Sequence, residues 1–138
     1  MNGGYNRLVI TGASTKTATS NIIVNGDIRV DASSTLNMQS FTLTGASMTN
    51  TGSGTIQTNA PSGAFTNGRT WICRIRYTNS SDQSIITGTY SNIELTGSGA
   101  IKTANGTITI NGNLTIESGV TMSMLTNLLT GTLPSTSG

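Results

Sequence analysis

The chain has little of the side-chain chemistry on which most enzymes and charged binding sites depend. It has no histidine, a single cysteine (Cys73), and only seven basic and five acidic residues among 138. A formal charge of +2 with no basic run argues against nucleic acid as a partner. No stretch approaches the roughly 18 apolar residues of a membrane helix, so no membrane insertion is expected. Because Cys73 has no second cysteine to pair with, an intrachain disulfide is excluded.

The motifs of common catalytic and metal sites are also missing. The sequence has no phosphate-binding loop, no zinc-ligand spacing and no Gly-Gly-x-Gly-x-Asp calcium repeat. Asp27 and Asp31 flank Arg29 at strand spacing, which predicts three side chains pointing outward as a surface charge cluster. Three further acidic residues have no partner near them in sequence, namely Asp82, Glu94 and Glu117. We therefore expect no enzyme activity, no cofactor and no metal.

What the chain does have is regular alternation of apolar and polar residues, which is the period of a β-strand. Thr, Ser, Asn and Gly take the place of charged residues between the apolar ones. The inward pairs that this alternation predicts are Leu8/Ile10, Ile22/Val24, Ile28/Val30, Leu36/Met38, Ile93/Leu95, Ile108/Ile110, Leu114/Ile116 and Met122/Met124. No helical period occurs, so the sequence predicts an all-β fold.

A segment of about forty residues occurs twice, approximately over 5–45 and 90–131, with a divergent middle over 52–88. The offset between the copies is 85 at the start (90 − 5) and 86 later (108 − 22), so one residue is inserted near Ala100. Repetition of short β segments is typical of stacked supersecondary units. We therefore expect residues 1–138 to form one domain, with the inserted residue in a corner.

Gly and Asn punctuate the strands at regular places, in Thr-Gly and Asn-Gly pairs that supply corners. Short strands, tight corners and long-period repetition favour a parallel β-solenoid (β-helix). With about twenty residues in each coil, the chain would make six or seven coils. Since Asn-Gly also forms hairpin turns, an antiparallel β-sandwich is the alternative.

The divergent middle contains one more alternating strand. Trp71, Cys73 and Ile75 share a face with Tyr77, and arginines occupy the opposite face. Cys73 is expected to be a small buried apolar residue, because no histidine is present to activate its thiol. The three arginines of this region, Arg69, Arg74 and Arg76, are expected to form a solvated basic patch.

The second copy resembles a repeat of large secreted bacterial surface proteins. The resemblance lies in the run from Asp82 to Gly99 (DQSIITGTYSNIELTGSG) and the run from Ile108 to Met122 (ITINGNLTIESGVTM), and it covers the first copy as well. It includes the Lys-Thr pairs at Lys16 and Lys102. One departure is Asn127, which takes an inward position that Phe41 holds in copy one. The resemblance implies adhesin-like parallel β-helix stalks and an extracellular or cell-surface location.

These observations favour a structural protein, either the subunit of a filament or a segment of a stalk. No amphipathic cap precedes the first strand, and open coil ends can join head to tail. The expected partner is therefore a further copy of the chain or the flanking repeats of a longer one. The candidate end-to-end contacts are Tyr5, Leu8 and Ile10 at one end and Leu128, Leu129 and Leu133 at the other.

Three other functions stay open at this stage. A glycan- or surface-binding adhesin module could use aromatic rings for stacking, with Tyr5, Tyr90, Trp71 and Tyr77 as candidates. Outward threonines could present a flat array to ice, with Thr15, Thr17, Thr19, Thr107 and Thr109 as candidates. A polysaccharide-active enzyme is the third alternative, but the sequence lacks the convergent carboxylates that this chemistry requires.

Overall fold

The computed structural model describes residues 4–132, and this part of the chain contains fourteen strands and no helix. The strands are β1 (Tyr5–Ile10), β2 (Thr15–Thr17), β3 (Ile22–Val30), β4 (Thr35–Asn37), β5 (Leu43–Thr44), β6 (Thr49–Thr51), β7 (Thr55–Thr58), β8 (Arg69–Tyr77), β9 (Gln83–Ile85), β10 (Gly88–Leu95), β11 (Ile101–Ala104), β12 (Ile108–Ile116), β13 (Thr121–Ser123) and β14 (Leu129–Thr130). Most are short, because each coil spends part of its length on corners.

The strands of this region pair in parallel and form three sheets that run along the length of the molecule. One sheet has the order β1-β3-β5 with β6 also on β3, a second has the order β14-β12-β10-β8-β7-β4-β2, and a third has the order β13-β11-β9. Paired residues lie 18 (Arg74 to Asn92) to 22 (Asp27 to Thr49) positions apart, which is the length of one coil. The fold is a parallel β-solenoid of about six turns. The all-β prediction is confirmed, and the sandwich alternative is wrong.

The core is a set of apolar ladders down the axis of the solenoid. In one ladder, Leu36, Ile56, Ile75 and Ile93 pair in register across four coils, and each is at most 2% exposed. Burial of each such side chain contributes roughly 1.5–3 kcal/mol, so stability is spread evenly along the axis. The predicted inward pairs all lie in the core or pack against it.

The residue inserted in copy two lies in a corner, as the sequence predicts. Four residues, 11–14, connect β1 to β2, whereas five, 96–100, connect the equivalent strands β10 and β11. Gly97 of this corner has a φ of 103°, and a Cβ there would lie 2.2 Å from the Asn79 carbonyl oxygen of the coil above. Corners absorb length changes because they carry none of the ladder pairing.

The two copies do not occupy the same faces of the solenoid. Strands β2 and β4 of copy one belong to the seven-stranded sheet, but their counterparts β11 and β13 belong to the three-stranded sheet. The offset of 85 to 86 residues exceeds four coils of about twenty residues, so copy two begins further around the axis. Each copy keeps its internal pairing, and one copy is turned by one sheet relative to the other.

The divergent middle closes a gap in the stack. No backbone ladder joins β6 to β8, and the Asn50 side chain fills the gap instead. Its Oδ1 accepts from the backbone N–H groups of Ile72 (2.6 Å) and Cys73 (3.1 Å), and its Nδ2 donates to the Thr70 carbonyl (2.6 Å). Trp71 packs beneath this point against Phe65, with ring centroids 5.0 Å apart.

Candidate functional site: the two ends of the solenoid

The first candidate surface is the end formed by β1 and β2, here called the head. Both are edge strands, with a partner on one side only among residues 4–132. Tyr5 is 46% exposed and Leu8 is half-buried, whereas Ile10 is 7% exposed and belongs to the core. The head therefore presents two of its three predicted contact residues, with the third beneath them.

The opposite end, here called the tail, is formed by the second half of β12 (113–116), β13 and β14. Leu128 is 62% exposed in the corner before β14, and Leu129 is half-buried on that strand. Leu133 lies outside the described residues. Leu125, in the same corner as Leu128, was not predicted as a contact and is 73% exposed. Asn127 is half-buried and its Nδ2 donates to the Ala104 carbonyl (2.9 Å), so it bonds to the coil above.

The duplication provides an internal comparison for the head. Tyr5 corresponds to Tyr90, which is fully buried, and Leu8 corresponds to Ile93, which is 1% exposed. Strand β8 covers both counterparts by pairing along β10. The head therefore consists of residues that, one copy later, a preceding parallel coil buries completely.

The same comparison holds for the tail. Met38 and Leu43 of copy one are fully buried, because the coil that contains β7 and Phe65 lies on their far side. Their counterparts Met124 and Leu129 are only half-buried. The second copy thus has apolar side chains at the same positions as the first, although no coil of the described chain covers them at the tail.

The charges of the two ends are opposite in sign. Before Asp27 the only charged side chains are Arg7 and Lys16, and after Lys102 the only one is Glu117. Lys16 is exposed on β2, and Glu117 is exposed at the end of β12, where its Oε2 accepts from the Gly97 N–H (2.7 Å). The head is therefore basic and the tail acidic.

Lys102 is a buried lysine that the sequence did not single out. It is fully buried on β11, and its Nζ donates to the Asn79 carbonyl (2.6 Å) and to Gln83 Oε1 (2.7 Å) of the preceding coil. Burial lowers its pKa to about 8, against the opposing effect of the Asp82 and Glu117 carboxylates. A usable signal was present, since Lys102 and the small apolar Ala104 share strand parity.

The other charged residues have local structural roles. Arg29 pairs with Asp31 (Nε to Oδ1, 2.5 Å), and Asp27 accepts from Thr51 (3.1 Å to Oδ2), as an outward cluster. The predicted basic patch is divided. Arg69 donates to corner carbonyls, including that of Met48 (2.8 Å), Arg76 pairs with Glu94 (2.9 Å), and Arg74 is exposed.

The middle strand has the predicted orientation, and this removes most candidate sugar-stacking rings from the surface. Trp71, Tyr77 and Tyr90 are fully buried, which leaves Tyr5 as the exposed member of that group. Cys73 is buried as expected, and burial raises the pKa of its thiol to about 11. The Tyr77 and Tyr90 hydroxyls lie 3.1 Å apart and bond to the backbone of Ile86.

The outward threonines form two short ladders, one of which joins Thr15, Thr35 and Thr55 of three successive coils. In the other, Thr109 pairs with Thr89 and Thr130, and Thr89 pairs with Thr70, so four coils align. The row that starts at Thr17 is mixed, since its successive partners are Asn37, Gln57, Arg76, Glu94 and Thr115. The described part of the chain holds neither a cluster of three potential metal ligands nor a helix long and apolar enough to cross a membrane.

No protein-family model, no curated protein and no solved structure gives a significant match to this chain. The class of protein therefore rests on the fold, which over residues 4–132 is a parallel β-solenoid whose first and last coils have a neighbouring coil on one side only. The resemblance to secreted surface-protein repeats stays a prediction.

Proposed function

We propose that this chain is a structural unit of an extracellular or cell-surface filament or stalk, extended at both ends by further parallel coils. The covering coils come from further copies of the chain or from flanking repeats. The observation that carries the proposal is the internal comparison: residues buried in one copy of the repeat are open at the end in the other. A protein that worked as an isolated unit would gain solubility from polar residues at these positions.

The energetics of stacking support this function. The half-buried apolar side chains packed against the core at the ends include Leu8, Leu114, Ile116, Met122, Met124 and Leu129. Completing the burial of each would contribute roughly 1 kcal/mol, about half the value for a fully exposed side chain. Each new ladder hydrogen bond adds about 1 kcal/mol. Together these terms are of the same order as an association cost of about 4–15 kcal/mol, so stacking should depend on concentration.

The direct test is sedimentation and negative-stain microscopy of the purified chain over a range of concentrations. We expect filaments about one solenoid wide whose length grows with concentration. Met122→Asp places a charge in the open tail and should abolish them. Ile101→Asp is the matched control, because Ile101 lies one coil before the tail and its side chain, 43% exposed, points to the side of the solenoid and not to the stacking surface. A chain that stays monomeric at the highest concentrations would overturn stacking between copies.

A second candidate, a glycan- or surface-binding module, has one observation in its favour. A shallow groove of about 670 Å³ on the side of the solenoid is lined by Arg74, Ile72, Asn92 and Asn113, among others. Ile72 is 48% exposed, so the groove offers a cation, amides and an apolar contact together. Binding of acidic oligosaccharides on an array, lost in Arg74→Ala, would support it, and an array without hits would reject it.

A further inference from the structure

The chain contains two lysines, and they are equivalent in the repeat. Lys16 and Lys102 are separated by 86 residues (102 − 16), the offset of the later part of the duplication, and each is followed by threonine. Lys102 is fully buried on β11, whereas Lys16 is exposed on β2. One residue of the repeat is thus seen in two environments, with a coil above it and without one.

The environment of Lys102 shows what the covering coil provides. Lys102 pairs with Gln83 of β9 on one side and with Met122 of β13 on the other. Its ammonium reaches the preceding coil, where a corner carbonyl and a side-chain oxygen accept hydrogen bonds from it. A buried ammonium needs such acceptors, because losing water without them costs several kcal/mol.

Lys16 has the same place in copy one, but its covering coil is missing. On the side of the following coil, Lys16 pairs with Leu36 of β4, as Lys102 pairs with Met122 of β13. Leu36 is 2% exposed, so the Lys16 position points along an inward ladder and not toward the side of the solenoid. A coil stacked on the head would bury Lys16 as Lys102 is buried.

We propose that the coil that covers the head is the tail of a second copy, and that Lys16 then enters the acidic tail corner at Glu117. This inference rests on the proposed function and adds its partner and its register. In the described chain, the outer edges of β13 and of residues 113–116 of β12 have no partner strand. They are the tail's counterparts of the edges of β9 and β8 that cover Lys102.

The acceptor position follows from the register of the stack. Tyr77, Leu95 and Ile116 pair in succession, so Ser118, the second residue of the corner after Ile116, occupies the place that Asn79 occupies above Lys102. That corner begins with Glu117, the only charged side chain of the tail. Lys16 would therefore approach the Glu117 carboxylate beside the Ser118 carbonyl, and a charge-assisted bond to it, about twice as strong as a neutral one, would compete with its bond to the Gly97 N–H.

The opposite charges of head and tail favour this junction over the symmetric ones. Head-to-head contact would bring Arg7 and Lys16 of both copies together, and tail-to-tail contact would bring two Glu117 carboxylates together. Only head-to-tail contact continues a parallel ladder, and such a heterologous contact repeats without closing. Because copy two is turned by one sheet relative to copy one, the same register between chains would turn each subunit about the axis.

The sharpest test uses two single variants. Each of them places two like charges at the Lys16–Glu117 junction, negative in one variant and positive in the other. Lys16→Glu places a second carboxylate opposite Glu117, and Glu117→Lys places a second ammonium opposite Lys16, so neither variant should form filaments alone. In an equimolar mixture each head meets a tail of opposite charge, so alternating filaments should form at concentrations within about threefold of the wild type. Ile101→Glu is the control for an added acidic charge elsewhere, and it should assemble alone.

Amine acylation read by peptide mass spectrometry gives an independent readout. Lys102 is the internal reference, because it is buried whether or not the chain assembles. Lys16 should react at least tenfold faster than Lys102 in dilute monomer and should approach the Lys102 rate in sedimented filaments.

The outcomes separate the two proposals. A wild-type chain that never sediments overturns stacking between copies altogether. Wild-type filaments in which Lys16 stays fully reactive, or single variants that assemble alone as well as the wild type, overturn the Lys16–Glu117 junction and leave the stacking function standing. Assembly restored only in the mixture supports both.

Discussion

Asn50 replaces a strand pairing with a single side chain, and removing that side chain should destabilise the solenoid at its middle. In Asn50→Ala, the N–H groups of Ile72 and Cys73 and the carbonyl of Thr70 lose their partner. A typical hydrogen bond contributes about 1 kcal/mol net, so three give about 3 kcal/mol. Asn50 is 5% exposed, so water replaces little of this loss, and the buried Cys73 N–H should push the value upward.

The measurement is urea unfolding followed by the fluorescence of Trp71, the only tryptophan, which lies fully buried beside Asn50. The matched control is Asn92→Ala, since the Asn92 side chain accepts one exposed backbone bond, from Asn113 (3.2 Å). The control should lose at most about 0.5 kcal/mol, because an exposed N–H regains a bond to water. Equal losses in the two variants, with unchanged denaturant dependence, would show that Asn50 does not act as a strand substitute.

Two further perturbations test the buried groups and the corners. Burial lowers the pKa of Lys102 from 10.5 to about 8 and raises that of Cys73 from 9.0 to about 11. Between pH 8 and 9, Lys102 is protonated in the unfolded chain and largely deprotonated in the folded one, so the free energy of unfolding should rise with pH. Above pH 9, Cys73 opposes this rise, because its thiol then loses its proton in the unfolded chain and keeps it in the folded one. Urea midpoints at pH 7 to 10 measure this, and a rise that persists in Lys102→Met would refute the assignment. Gly52 has a φ of 89°, and a Cβ there would lie 2.1 Å from the Val30 carbonyl oxygen, so Gly52→Ala should cost more than about 3 kcal/mol. Gly63→Ala, at a φ of 65° with nothing within 4 Å, should cost only the roughly 1–2 kcal/mol of the left-handed conformation, and equal thermal shifts in both would contradict the steric argument.

The fold class followed from the sequence because period-two alternation and repetition are both local signals. Each inward pair, such as Ile28 and Val30, specifies which face of its strand is buried, and a repeat of short strands requires stacking. The corner position of the residue inserted near Ala100 followed in the same way, since a strand cannot gain a residue without reversing its faces.

The relative orientation of the copies did not follow from the sequence. Both copies satisfy the same local rules on whichever sheet they lie, so nothing within 5–45 or 90–131 records the face that each occupies. That placement depends on the summed length of four coils, including corners of variable length in the divergent middle. The gap at Asn50 depends on the same total length. In the sequence, Asn50 cannot be distinguished from any other polar residue of a strand.

The environment of Lys102 was missed because charge is normally evidence of exposure. Its strand parity places it with Ala104 inside the solenoid, while the apolar Ile101 points outward and is 43% exposed. The inward position in the strand outweighs the charge of lysine here, because the preceding coil supplies two oxygen acceptors within hydrogen-bond distance of Nζ. Lys16 has the same parity, and no coil of residues 4–132 supplies it with acceptors, which is the observation on which the proposed stacking at the head depends.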